Sequence, residues 1–399
     1  MRARVVINWS VSSFTGWGVY GLNLALHWSR DPDLEPMTSI PITPDEIAVN
    51  PIQRKALAPF LALSQALQAN LPPLGAARFP LECPVLTDID LSPNGFEYPI
   101  SGRPTIGMVF FDTAKLGVAA IERARSLPLI VTGSDWNRRI LQAYGLDNVA
   151  NVLQGVDPAL FHPAPSGGWL GERFCVFSGG KLEYRKAQDI ALAAFRLFAQ
   201  RHPEALLVTA WHCPWRGLAQ TLDQSGLLAP VQFHGDGQID VAGWARANGI
   251  ATDQILDLGA VPNHEMPSVL REMDVAVFPN RCEGGTNLVA MECMACGLPV
   301  ILSRNTGHLD LIEAENCFPL EHQGTLGGHR AGIGAVPGWG ESSVEEVVET
   351  LETVFADRAE ARRRGQRGAA TMAKLTWQQT ADQLKALVLQ HRVGSISTA

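Results

Sequence analysis

Residues 281–299 read RCEGGTNLVAMECMACGLP. The apolar run VAVFP, 275–279, precedes them, and PVIL, 299–302, follows. Both runs are short, unbroken and bounded by turn residues, the pattern of strands buried on both faces of a parallel sheet. The order predicted is strand, glycine turn, helix, strand. Two carboxylates, Glu283 and Glu292, bracket the turn and the start of the helix. A glycine turn that opens a helix exposes backbone N–H groups suited to phosphate oxygens. A carboxylate within reach accepts hydrogen bonds from sugar hydroxyls. Gly284, Gly285, Thr286, Asn287 and Leu288, with the two glutamates, therefore form a candidate nucleotide-sugar site.

The strand–helix rhythm extends outward from this stretch. In the second half, strands are expected at 174–178, 205–210, 231–233, 255–258, 275–278 and 300–302, with helices at 187–200 and 266–271 between them. In the first half, strands are expected at 4–8, 105–111, 127–131 and 150–153. A helix is expected at 115–126, and Ser134 is a good helix start. The segment SSFTGWGVYG, 12–21, predicts a glycine-rich loop leading into a helix at 22–28. Gly16, Gly18 and Gly21 match G-x-G-x-x-G, but no acidic residue completes a dinucleotide fingerprint. Residues 70–103 are rich in proline and turns and give no clear assignment. HPAPSGG, 162–168, is a break between two rhythmic halves. The expectation is an α/β chain of two Rossmann-like, doubly wound domains, 1–165 and 166–375. They would face each other across a cleft, with a C-terminal helix and tail at 376–399.

Composition narrows the class. A chain of 399 residues exceeds one ordinary core. Its 46% apolar and 18% charged content is that of a globular protein. The net charge of −8 argues against nucleic acid as a partner and against docking on anionic membranes. No apolar run reaches the roughly 18 residues of a bilayer span. The start, MRARVVINWSV, lacks a leader's apolar region and cleavage site, and seven cysteines without a framework suit a reducing compartment. A cytoplasmic location is expected. Cys293 and Cys296 have C-x-x-C spacing but no partner pair, and they are expected to pack a helix.

Five segments together resemble the retaining GT-B glycosyltransferases of family four. IVTGSDWN, 130–137, is similar to the family's last N-domain strand and the helix after it. QGVDPALFHP, 154–163, is similar to its interdomain signature, with Gln154 in place of asparagine. SGGKLEYRK, 178–186, is similar to its basic segment. The stretch from Glu283 to Glu292 is similar to its two-glutamate motif, and ECMACGLPV, 292–300, to the tail of that motif.

The resemblance implies a sugar transfer from a nucleotide-diphosphate-sugar donor to an acceptor hydroxyl on a glycan, protein or small molecule. It implies no cofactor and no metal. Lys181 and Lys186 stand where the family neutralises the diphosphate, with Arg185 beside them as a substitute. Glu283 is assigned to the donor sugar and Glu292 to the nucleotide ribose. Eight residues separate these glutamates where the family has seven, so either Glu283 is displaced or the turn bulges. Thr286 and Asn287 are expected to supply donors to sugar or phosphate. The donor site is completed by Gly16, Gly18 and Gly180, and by Gly259 and Val261 near the base. His308 is open between lining and ligand. Trp17 and Tyr20 are placed to stack on a sugar, and Trp211 and Trp215 are read as core.

Phe111 occupies the position of a family histidine, which leaves Asp112 as the N-domain candidate for orienting the acceptor. Front-side attack, in which the leaving phosphate takes the acceptor's proton, does not need that histidine. The catalytic candidates are thus Asp112, Lys181, Lys186 and Glu283. A silent sugar-nucleotide-binding module, or an epimerase or phosphorylase of the same fold, is the competing reading.

Overall fold

The computed structural model describes residues 2–72, 79–89, 91, 99–326 and 338–394. Part of the unassigned 70–103 segment therefore lies outside the described residues. Two six-stranded parallel sheets carry the fold. The first contains β1 (Ala3–Asn8), β2 (Leu34–Thr38), β3 (Val85–Asp88), β4 (Thr105–Val109), β5 (Leu129–Thr132) and β6 (Val149–Asn151). Their spatial order is β2-β1-β3-β4-β5-β6. The second contains β7 (Phe174–Gly180), β8 (Ala205–Trp211), β9 (Ile255–Asp257), β10 (Val275–Phe278), β11 (Val300–Ser303) and β12 (Phe318–Leu320). Its order is β9-β8-β7-β10-β11-β12.

The second order is that of a dinucleotide-binding sheet, in which the chain reverses direction between its first and fourth strands. Ligands bind outside the carboxyl ends of the strands at such a reversal. Here those ends belong to β7 and β10, which place residues 180–186 beside residues 279–283. Both strands are buried almost throughout because helices cover both faces.

Six helices matter for the site: α1 (Gly16–Ser29), α2 (Asp135–Ala143), α3 (Gln188–Ala199), α4 (Leu288–Ala295), α5 (Arg358–Met372) and α6 (Trp377–Gly394). α6 returns to the first domain and packs against α1. Trp28 Nε1 donates to Ala381 O at 3.1 Å, and Lys385 bridges Asp31 and Asp33, both at 2.7 Å. The outgoing and returning chains pair at Val156 and Thr376. A Cβ on Gly155 would lie 2.2 Å from the Thr376 carbonyl carbon, so glycine is what permits this crossing.

Several expected elements differ. The glycine-rich loop at 12–21 is partly helix, since α1 begins at Gly16, with Thr15 Oγ1 accepting from Gly18 N at 3.1 Å. A local N-cap outweighs the low helix propensity of three glycines. Residues 231–233 form no strand, only a bridge between Phe233 and Ile239. β4 stops at Val109, which leaves Phe110 and Phe111 in the loop at the cleft. β2, β3 and β12 have no clear sequence signal, because LEPMT, VLTD and FPL carry proline or acidic residues unlike buried strands.

Candidate active site

The carboxyl end of β7 runs through Gly180, at φ 118°, into a loop carrying Lys181, Glu183, Arg185 and Lys186. The carboxyl end of β10 runs through Asn280 and Arg281 to Glu283. The two loops interlock: Arg281 N and Cys282 N both donate to Arg185 O, at 2.8 and 3.2 Å. Beneath them the fully buried Arg281 forks onto Asp189 of α3 at 2.9 and 2.8 Å. It also donates to Tyr184 O at 2.8 Å and to Glu341 at 3.1 Å, and lies over the Tyr184 ring. The bidentate pair fixes both strand ends in one geometry.

Glu283 sits above this anchor and is 4% exposed. Its carboxylate pairs with Lys186, pairs with Arg185 at 3.2 Å, and accepts from Asn280 Nδ2. Its backbone N–H donates to Thr306 Oγ1 at 2.8 Å. Burial alone would raise its pKa, but Lys186 and Arg185 outweigh that and hold it at about 2. The same burial pulls Lys186 down, opposed by the charge of Glu283. Arg185 extends the chain of ion pairs to Glu183 at 2.6 Å and, across the cleft, to Asp112 at 3.4 Å. Lys181 pairs with Glu183 at 3.3 Å. Three cations thus face three carboxylates, and Asp112, at 49%, has the most exposed side chain of the six.

Arg185 and Lys186, rather than Lys181 and Lys186, are the cations that meet at Glu283. Lys181 lies outside, its ammonium 5.4 Å from the Trp215 ring centroid. Trp215 is 56% exposed, against the expectation of a core residue, whereas Trp211 is buried as expected.

Between the two glutamates the chain bulges at a left-handed residue. Asn287 adopts φ 65° and caps α4, accepting from Ala290 N at 3.5 Å. Asparagine tolerates this left-handed conformation better than most residues. The side chains of Asn287 and Thr286, expected to supply donors to sugar or phosphate, make contacts within the protein. Asn287 Nδ2 meets His308 Nε2 at 3.1 Å, and Thr286 Oγ1 donates toward Gln154 Oε1 at 3.3 Å. His308 is fully buried, with Nδ1 3.0 Å from Ser303 Oγ, and burial lowers its pKa to about 4. It supports the bulge and does not line the cleft.

The Gly284–Gly285 turn is pressed into the first domain. Ser134 Oγ, which also caps α2, donates to Gly284 O at 2.6 Å. A Cβ on Gly284 would come within 2.3 Å of Phe110 O, and one on Gly307 within 1.7 Å of Gly285 O. Asp135 N donates to Asp310 Oδ2 at 2.8 Å, and Asn263 N to Ser13 O at 2.9 Å. The sequence marks Ser134 as a cap but carries no sign of its second, interdomain role.

Glu292 is separate from Glu283. It is buried in α4, accepts from Asn263 Nδ2, and burial raises its pKa to about 8. Leu288, the first residue of α4, is buried. Gly259 has φ 61°, and Val261 is half-buried against the core. Gly16 and Gly18 lie in the first turn of α1, and a Cβ on Gly18 would meet Ser12 Oγ at 2.1 Å. Tyr20 is fully buried against Trp9, Phe110 and Trp377, so it cannot stack on a sugar. Trp17 is half-buried, 4.7 Å from Phe110 in edge-to-face contact. A cavity of about 340 Å³ lies at the amino ends of β7, β10 and β11, lined by Phe174, Asp274 and Pro299, away from this cluster.

The described residues hold no three His, Cys, Asp or Glu side chains converging to bind a metal ion. None of their helices is long and apolar enough to cross a membrane.

Comparison with known proteins bears on the fold. Residues 262–384 match the model of the family "Family 4 Glycosyltransferase in conflict systems". D-inositol 3-phosphate glycosyltransferase 2 of Catenulispora acidiphila is 30% identical over 179 residues, 42% of this chain and 38% of that protein. The match therefore spans well under half of that relative. Sucrose-phosphate synthase from Thermosynechococcus elongatus superposes with a TM-score of 0.61 at 16% identity, covering 98% of this chain and 99% of the other. Anabaena HepE, solved with UDP and glucose, gives a TM-score of 0.62 at 13% identity, covering 98% and 100%. The chain has the GT-B fold and resembles the family-four glycosyltransferases.

Proposed function

We propose that this GT-B chain is a glycosyltransferase that moves a sugar from a nucleoside-diphosphate sugar to an acceptor hydroxyl with retention at the anomeric carbon. One observation carries the reading. Arg185 and Lys186 converge with Glu283 at the reversal point of the second sheet.

In this reading the diphosphate binds against Arg185 and Lys186. Cleavage of the sugar–phosphate bond increases the charge on the leaving phosphate, and fixed cations stabilise that charge without reorganising. The leaving oxygen takes the proton of the acceptor hydroxyl as the new glycosidic bond forms on the same face. Glu283, kept ionised by its two cations, accepts hydrogen bonds from the donor sugar. Asp112 orients the acceptor from the first domain. Because the six charges already balance, an incoming diphosphate displaces a carboxylate. Asp112 is the one to yield, being the most exposed and held by Arg185 at 3.4 Å.

The likeness to Anabaena HepE, a protein solved with UDP and glucose, supports a uridine nucleotide as the first donor to try. The test is release of nucleoside diphosphate from UDP-, GDP- and ADP-sugars in the presence of acceptor extracts, with the product anomer read by NMR. Release with retention supports the reading. Nucleotide binding without turnover favours a silent binding module, and an inverted product overturns the proposed mechanism.

A further inference from the structure

The carboxyl ends of the second sheet form a row. Glu283 follows β10, Lys181, Arg185 and Lys186 follow β7, Trp215 follows β8, and Gly259 follows β9. Trp215 is thus positioned between the cations and the segment assigned to the base. The residue is 56% exposed, which is unusual for a side chain that contributes so much when buried. Its main chain is anchored and its ring has a cation on one side. Cys213 Sγ contacts Trp215 O at 3.3 Å, and Lys181 lies over one face. The neighbouring loop is tied down, since Tyr184 N donates to Thr221 Oγ1 at 3.0 Å. Lys181 leads back to the site in two ion pairs, through Glu183 to Arg185.

An exposed indole beside a cation fits a ligand with a planar aromatic ring and a nearby phosphate. We infer that Trp215, flanked by Lys181, is a stacking platform for the nucleobase of the donor, outside the diphosphate position held by Arg185 and Lys186. This rests on the donor reading above. Stacking tolerates any base, because each has a π-face, so the platform adds affinity for the nucleoside without selecting the base.

Calorimetric titration of the full chain with UDP, GDP, ADP and inorganic pyrophosphate tests it. Trp215→Ala should weaken the best-bound nucleoside diphosphate about tenfold and leave pyrophosphate unchanged, while Trp215→Phe retains most of the affinity. Trp169→Phe, at the other highly exposed indole, is the control and should match wild type. Unchanged nucleotide affinity in Trp215→Ala, or an equal loss for pyrophosphate, overturns the platform alone. If wild type binds none of the three nucleotides, the donor reading fails as well.

Discussion

Lys186 and Glu283 come from the ends of two different strands and meet as a largely buried ion pair, with Arg185 as a second cation on the same carboxylate. Removing one partner strands the other in a poorly solvated position. Glu283→Gln should therefore destabilise the fold by about 3 kcal/mol, measured by urea denaturation at neutral pH. The pair also has a pH signature. The folded pKa of Glu283 lies below its ordinary value, so its contribution is present above about pH 4.5 and is lost as pH falls toward 2. The stability gap between wild type and Glu283→Gln should narrow across that window.

Glu292 has the opposite sign. Its folded pKa is raised to about 8, so between about 4.5 and 8 the unfolded state ionises while the folded state keeps its proton. Stability contributed by this group falls as pH rises through that range. Glu292→Gln removes the penalty. The variant should be more stable than wild type at pH 8, by at most about 4 kcal/mol, with the difference vanishing near pH 4. Thermal melts across pH would show this, and a flat difference would contradict the assigned burial.

Arg281 anchors both strand ends from below through Asp189. Arg281→Met should cost about 3–5 kcal/mol, since it leaves the Asp189 carboxylate buried and unpaired. Arg281→Lys should recover little, because an ammonium cannot reproduce the two-pronged contact. Chemical denaturation of both variants distinguishes a fork from a simple charge.

Ser134 couples the α2 cap to the Gly284 carbonyl. Ser134→Ala should cost about 1 kcal/mol from the lost cap and also loosen the turn against the first domain. Small-angle scattering should show a larger radius of gyration than wild type. An unchanged radius would mean that the remaining interdomain bonds suffice.

Much of this is legible in the sequence. The paired apolar runs at 275–278 and 300–302 identify β10 and β11, and their spacing identifies α4. The charged loops after β7 and β10 mark the reversal point. What the sequence hides is side-chain direction. Lys181 and Lys186 have equal status on paper, yet one turns out to Trp215 and the other in to Glu283. The bulge at Asn287 depends on His308 and Ser303, which lie beyond α4, so no local pattern reports it. The contacts of Thr286 and Asn287 with Gln154 and His308 are hidden for the same reason, since both partners lie in distant segments.

The central claim is that Arg185 and Lys186 hold the donor's diphosphate. Isothermal titration of UDP, GDP and ADP into wild type and Lys186→Ala tests it most directly. Wild type is predicted to bind at least one of the three, and Lys186→Ala to bind it about a hundredfold more weakly. Equal affinity in the two proteins, or no binding by wild type, would contradict it.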